Sequence, residues 1–154
     1  MFQLSDFRPP VINLITNELE VISFAEIEKI TKDSKNNTIY HIKDKKYMLI
    51  TSLDDHNEYL FHLGLRQTDN SNVVNMHKAD SYDGVLKNIY FDKKKTRFAS
   101  VAAVQSKYVK HTVDGLKENK RLEQLDVQYL DEEKTKDKKI KKFLDFFSRK
   151  VHNT

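Results

Sequence analysis

Short runs of β-branched and aromatic residues recur between Leu19 and Val101, and turns rich in Asn, Asp and Lys separate them. Runs of this kind, bounded by turn residues, are typical of short strands. The predicted strands are Leu19 to Phe24, Ile27 to Thr31, Thr38 to Ile42, Tyr47 to Ile50, Val73 to Val74, Leu86 to Phe91 and Arg97 to Val101. Asp83-Gly84, between Tyr82 and Val85, predicts a hairpin turn. This pattern favours a mainly β fold.

Helices are predicted at one place inside this region and again after it. Ser52 is a good N-cap, Asp55 completes a capping-box-like pair with it, and Gly64 is a suitable helix stop. The last third of the chain changes to helical patterns over Val104 to Val113 and Leu116 to Leu130. We expect an N-terminal arm at 1–17, set off by a Pro-Pro pair, a β-rich domain at 18–113 and a helical C-terminal extension at 114–154.

An apolar stripe with helical spacing lies at the end of the chain, after a run of charged residues. Its members are Ile140, Phe143, Leu144, Phe147 and Val151. Such a stripe is typical of a helix packing face. It packs either against this domain or against a second molecule, so it is our candidate contact for a homodimer or a partner protein.

Composition excludes several classes of site. The chain of 154 residues has no Cys, so a disulfide, a thiolate zinc site and a catalytic thiol are excluded. Its six His residues show no compact metal-ligand spacing, and three Gly make a phosphate-cradling loop improbable. We expect no enzyme activity, no metal and no cofactor. The net charge of +4 favours a polyanion partner only where the charge is concentrated; otherwise it belongs to a well-solvated, Lys-rich surface.

The hydropathy pattern bears on location. No apolar run approaches the length that spans a bilayer, and the N-terminus has no basic region before an apolar core. We expect a cytoplasmic protein without a membrane segment.

Asp69 to Asn75 is the most polar stretch that leads directly into a predicted strand. It holds three side-chain amides and a hydroxyl. Asn, Ser and Asp are ordinary turn residues, because their side chains bond to nearby backbone. The same groups can also hydrogen-bond base edges and grip phosphates.

Four segments in the middle of the chain carry a family resemblance. They are Phe24 to Ile30, Ile50 to Leu60, Leu65 to Asn75, and Ile89 to Val101 with its basic turn. In this order they resemble the elements of the LytTR family of bacterial DNA-binding domains, in particular its accessory-gene-regulator-like members. The Ser-x-x-Val-Asn piece, from Ser71 to Asn75, is the most specific. The resemblance implies an elongated multi-sheet β fold with one packed helix, which binds the major groove of DNA through loops.

The resemblance also implies roles for individual residues. Asn36 falls at a base-contacting position that is often His, and Asn70 at a base-contacting Asn or basic position. Ser71 and Ser100 fall at phosphate-binding positions. Ala102 stands where the family usually has Arg.

Two departures from the family pattern bear on DNA reading. Asp69 replaces a common His, and Ala102 cannot hydrogen-bond a base. Loss of a bidentate Arg–guanine contact removes roughly 1–3 kcal/mol of discrimination. Either the chain reads a different sequence, or Gln105, Lys107 or Arg97 substitutes for the missing Arg, or DNA binding is weak.

Positive charge is concentrated on the last predicted hairpin. The residues are Lys93, Lys94, Lys95 and Arg97, followed by Lys107. Such a patch either keeps a sheet edge from pairing or neutralises phosphates. Asn36 and Asn37 form either the other end of a DNA footprint or a plain polar turn.

We therefore expect a stand-alone, response-regulator-like transcriptional regulator without a receiver domain, which binds double-stranded promoter DNA, with two copies on paired direct repeats as in the family. The alternative is a LytTR-like interaction module that regulates a partner protein and has little DNA binding. Single-strand or RNA binding would need exposed aromatic side chains; the candidates are Tyr40, Tyr47, Tyr90 and Phe98.

Overall fold

The N-terminal part of the chain forms a five-stranded antiparallel sheet in the order β2-β1-β5-β4-β3. The strands are β1 (Pro10–Asn13), β2 (Leu19–Val21), β3 (Lys29–Lys32), β4 (Thr38–Ile42) and β5 (Lys45–Leu49). The structure is a computed structural model that describes residues 1–133 and 141–152, and of residues 141–143 it describes the backbone only. The chain divides into two units, Met1–Asp55 and His56–Thr154, and this sheet belongs to the first.

β1 lies inside the predicted N-terminal arm, yet it pairs with both β2 and β5. Val11 and Ile12 are fully buried there. Pro10 is compatible with this position because it opens the strand, where its missing N–H does not interrupt a ladder. Val11 joins Tyr40 and Tyr47 in the core of the sheet. The arm prediction missed this strand because a Pro-Pro pair indicates an extended backbone equally well in a tail and in a sheet.

The second unit contains two smaller antiparallel sheets. One is a hairpin of β6 (Leu65–Asp69) and β7 (Asn72–Asn75), and the other has three strands in the order β10-β9-β8. Its strands are β8 (Ser81–Asp83), β9 (Asn88–Tyr90) and β10 (Phe98–Ser100). With the first sheet they make ten strands in three antiparallel sheets within the described residues, so the predicted mainly β class with helices is confirmed.

Helix α1 (Leu53–Tyr59) begins as the sequence predicts, because the Asp55 N–H donates to the Ser52 hydroxyl over 3.0 Å. Gly64 ends the following 3-10 turn with φ of 101°, a left-handed conformation that favours glycine. The predicted cap and stop are therefore both present.

Three longer helices follow the last strand: α2 (Ser106–Lys117), α3 (Leu122–Glu133) and α4 (Lys141–His152). α2 contributes Val109 and Val113 to a core that also holds Val74 and Met76 beside β7 and Ile89 from β9. The helix runs through residue 113, where the sequence places a domain boundary. α2 therefore packs with the small sheets in one hydrophobic core.

The C-terminal stripe packs inside its own chain. Phe147 is 1% exposed and joins Phe61, Tyr108 and Tyr129 in an aromatic cluster, with Leu144 and Val151 packed against it. Of the two alternatives, the structure shows packing within the chain for Phe147, and it gives no support to a dimer or partner contact through Phe147, Leu144 or Val151. Ile140 and the side chain of Phe143 lie outside the described residues.

A buried polar network crosses the second unit. The Arg66 guanidinium donates to Asp126 Oδ2 over 2.7 Å and to the Tyr108 hydroxyl over 3.1 Å, and that hydroxyl donates to Asp126 Oδ1 over 2.7 Å. The guanidinium also lies over the Phe61 ring, 3.4 Å from its centroid. This network joins β6 to α2 and α3.

Throughout residues 1–133 and 141–152, no helix is both long and apolar enough to cross a bilayer.

Candidate nucleic-acid interface

The turn between β6 and β7 is held by the Asp69 carboxylate. Asp69 Oδ1 accepts both the backbone N–H and the hydroxyl of Ser71, each over 2.7 Å, and Asp69 Oδ2 accepts the Ser100 hydroxyl. Partial burial raises the pKa of Asp69, but the hydrogen bonds from Ser100 and Ser71 outweigh it and hold the pKa below its ordinary value. Asp69 is therefore ionised at neutral pH, and both serine hydroxyls donate to it.

Asn72 ties the same turn to β10, and the sequence analysis did not select it. Its Nδ2 donates to the Ser100 carbonyl over 2.9 Å, while its Oδ1 accepts the Thr68 hydroxyl over 2.7 Å. The Ala102 N–H, just beyond β10, donates to the Thr68 carbonyl over 2.8 Å. In the sequence, Asn72 is one of several Asn residues in the polar run from Asp69 to Asn75. That position does not show whether its amide holds the fold together or contacts a base.

The result is an exposed polar edge, formed by Asn70, Ser71 and Ser100, with Asp69 and Asn72 beneath it. Asn70 lies at the tip of the turn, and the structure gives its amide no hydrogen-bond partner among the described residues. Ala102 follows this edge and is half-buried. The structure therefore brings together three of the predicted DNA-contacting residues, and the position expected to hold Arg lies beside them.

The basic turn lies at the other end of β10. Lys93, Lys94, Lys95 and Arg97 are all exposed and precede Phe98, whereas Ser100 ends the strand. At about 3.3 Å per residue, about 10 Å separates the Arg97 and Ser100 backbones. The basic turn and Ser100 therefore lie at opposite ends of this three-residue strand.

Lys107 has a partner within the chain. Its ammonium forms an ion pair with Glu133, whose side chain is buried. This pairing offsets its charge, so the predicted phosphate contact is disfavoured. The sequence placed Glu133 in a charge run, and only the packing of α3 on α2 reveals the pairing.

Asn36 and Asn37 lie in the first unit, on the turn between β3 and β4. Asp33 accepts the Asn37 backbone N–H over 2.9 Å and the Asn37 side-chain amide over 3.1 Å. Asn36 is exposed and has φ of 67°, a conformation that Asn tolerates better than most residues. Both residues thus have a turn-forming role, which leaves only the Asn36 side chain exposed to a ligand.

The loop from Gly84 to Lys87 joins the polar edge and was missed by the sequence analysis. Asp83 pairs with Asn88, so four residues connect β8 and β9 where a tighter turn and an earlier strand were predicted. The Gly84 backbone does not adopt the positive φ that a type I′ Asp-Gly turn requires; Lys87 adopts it, with φ of 56°. The Val101 N–H donates to the Lys87 carbonyl over 2.9 Å, which holds Lys87 beside the end of β10.

Other chemistries find less support. Among the described residues, no three His, Cys, Asp or Glu side chains form a group that could hold a metal ion. Tyr40, Tyr47 and Tyr90 are buried, so of the four aromatic candidates for stacking single-stranded bases only Phe98 is exposed.

No protein-family model matches this chain, and no curated protein matches it significantly.

Proposed function

We propose that this chain binds double-stranded DNA in a sequence-specific way, as a LytTR-like bacterial transcriptional regulator. The observation that carries the proposal is the exposed Asn70 amide at the tip of a turn that Asp69 and Asn72 hold rigidly against β10. An Asn side chain can bond both N6 and N7 of adenine in the major groove. A rigid turn positions such an amide without a large ordering cost on binding.

The exposed cations of the basic turn supply phosphate contacts in this proposal. They lie about 10 Å along β10 from the polar edge, a separation that a duplex in contact with both would bridge. In the family that this chain resembles, two copies of the domain bind paired direct repeats. Since the α4 stripe packs internally, side-by-side occupancy of DNA would not depend on that helix.

The Asn70 contact is tested by selecting duplexes from a random pool and comparing affinity for the selected and random DNA. Asn70→Ala is expected to reduce this discrimination by about 1–3 kcal/mol, because it removes one bidentate base contact. Gln124→Ala, which removes an exposed amide on α3, is the matched control and should leave discrimination unchanged. A wild-type protein that selects no sequence would refute the proposal.

The phosphate contacts are tested by the salt dependence of binding. Lys94→Ala should weaken binding to selected and random duplexes alike and reduce the slope of log affinity against log salt by about 1. Lys117→Ala removes an exposed lysine at the end of α2 and is the control. If the wild type, Lys94→Ala and Lys117→Ala have equal slopes, the DNA does not contact Lys94.

The alternative is an interaction module that regulates a partner protein, and the Asp69 geometry favours it. Both serine hydroxyls already donate to the carboxylate, and a phosphate would meet a negative charge at this position. Asp69→Asn separates the two functions. If the edge meets DNA, the wild type should retain duplex and Asp69→Asn should change its affinity, because both the charge and an acceptor for the serine hydroxyls are lost. If the edge meets a protein, DNA retention should stay negligible in both forms and a stoichiometric partner should co-purify with the wild type.

A further inference from the structure

The loop between β8 and β9 presents two adjacent apolar side chains to solvent. Val85 is 89% exposed and Leu86 is 64% exposed. Isolated exposed apolar residues are ordinary on protein surfaces. An adjacent pair at the tip of an ordered loop is less easily explained by chance, because neither side chain contributes to a core.

The loop is ordered by its own hydrogen bonds. Asp83 Oδ1 accepts the Val85 N–H over 2.9 Å and the Leu86 N–H over 3.0 Å. These bonds hold the pKa of Asp83 below its ordinary value, so the carboxylate stays ionised and keeps accepting them at neutral pH. The two apolar side chains are thus displayed by a backbone that needs little ordering on contact with a ligand.

The loop lies at the same end of its sheet as the polar edge. Ser100 pairs with Asn88, the first residue after the loop, and Val101 bonds to Lys87. Ser100 in turn contacts Asp69 and Asn72 of the β6–β7 turn. Two chain segments that are distant in sequence therefore present amide, hydroxyl and apolar groups side by side.

We propose that Val85 and Leu86 contact the C5-methyl groups of thymines in the major groove, beside the base that Asn70 reads. This inference rests on the proposed DNA-binding function and assigns a base preference to it. Apolar contact with the thymine methyl is the readout available to aliphatic side chains. The neighbouring Asp69 and Asp83 carboxylates disfavour a phosphate beside them, whereas they permit base edges in the groove.

A protein partner fits this loop less well. Its apolar surface is limited to two side chains, and the adjoining exposed groups are Asn70, Ser71 and Ser100 rather than a wider apolar patch. Stable protein interfaces have a central region that is more apolar than the rest of the surface.

The test compares duplexes from the selection above, synthesised with thymidine or with deoxyuridine, which differ only in the C5-methyl group. The wild-type protein should lose about fourfold in affinity for each contacted methyl that is removed, the ratio expected for one buried methyl-sized group. The Val85→Ala/Leu86→Ala variant should bind the thymidine duplex more weakly and show no further loss with deoxyuridine. Leu63→Ala is the matched control, because Leu63 is 63% exposed and precedes β6, at the end of the hairpin away from its turn.

Each outcome decides between the two levels of the proposal. The methyl contact is supported if deoxyuridine lowers the affinity of the wild type and of Leu63→Ala but does not change the affinity of the double variant. The methyl contact is overturned if the wild type binds selectively but with equal affinity to both duplexes. It is also overturned if the double variant still loses as much affinity as the wild type when thymidine is replaced by deoxyuridine. Both results leave the proposed function intact. A wild-type protein that selects no sequence overturns both. Thermal denaturation of the double variant verifies folding, which changes at such exposed positions should not alter.

Discussion

Asp126→Ala is expected to destabilise the second unit by about 3–5 kcal/mol, because it leaves the buried charge of Arg66 without its carboxylate. The side chains of Arg66 and Asp126 are 5% and 3% exposed, so the charge left on Arg66 is poorly hydrated. Tyr108 loses an acceptor in the same change. Arg66 keeps its bonds to the carbonyls of Phe61 and Leu65, which favours the lower end of this range.

The magnitude is large compared with the stability of an ordinary domain, about 5–15 kcal/mol. For a unit of about 100 residues, a loss of about 3 kcal/mol lowers the Tm by roughly 12–24 °C. Urea denaturation followed by far-UV circular dichroism measures the change as a lower midpoint with an unchanged slope.

Two further variants make this result specific to the buried pair. Glu123→Ala removes a carboxylate that is 69% exposed and 3.8 Å from Arg121, and it should change stability by less than about 1 kcal/mol. The double variant Arg66→Met/Asp126→Leu removes both charges and should recover most of the loss. A loss in Asp126→Ala no greater than in Glu123→Ala, or a double variant less stable than the single one, would refute the reasoning.

Three other changes test separate parts of the fold. Phe147→Ala should cost about 3–5 kcal/mol, since it leaves a cavity among Phe61, Tyr108 and Tyr129; unchanged stability in urea would contradict the packing of α4. Gly64→Ala should cost about 1–3 kcal/mol, because alanine is strained at φ of 101°. An added Cβ would also meet the His77 ring; if His77→Ala restored full stability to Gly64→Ala in thermal melts, the loss would come from this crowding and not from backbone strain. Because hydrogen bonds lower the folded-state pKa of Asp69, its contribution is present above the unfolded-state pKa and is lost as the pH falls through the folded value. Asp69→Asn should flatten this acid limb of stability, and an identical pH dependence in both proteins would argue against it.

The local structure of this chain follows closely from short-range patterns. The Ser52 cap, the Gly64 stop and the strand from Thr38 to Ile42 are all found where the sequence predicts them. The cap and the stop depend on neighbours within a few residues, so the local sequence carries their physical cause. The strand also depends on its pairing with β3 and β5.

The errors occur where long-range contacts decide the outcome. Pro10 begins a central strand because β2 and β5 pair with its neighbours, and no local signal distinguishes that from a tail. The Asp83-Gly84 pair predicts a tight turn, but the Val101 N–H bonds to the Lys87 carbonyl and strand pairing resumes only at Asn88, so a longer loop results. Phe147 has the spacing of a packing face, and only the position of Phe61 decides that it packs within the chain.

By itself, the sequence determined most of the strands, the capped helix α1 and the polar character of the turn at Asn70 and Ser71. The tertiary structure alone decided that Ser100 meets this turn and that its hydroxyl donates to Asp69. The reason is physical. Propensities and caps act over a few residues, whereas the contact between Asp69 and Ser100 joins groups that come together only when β10 packs beside the β6–β7 hairpin.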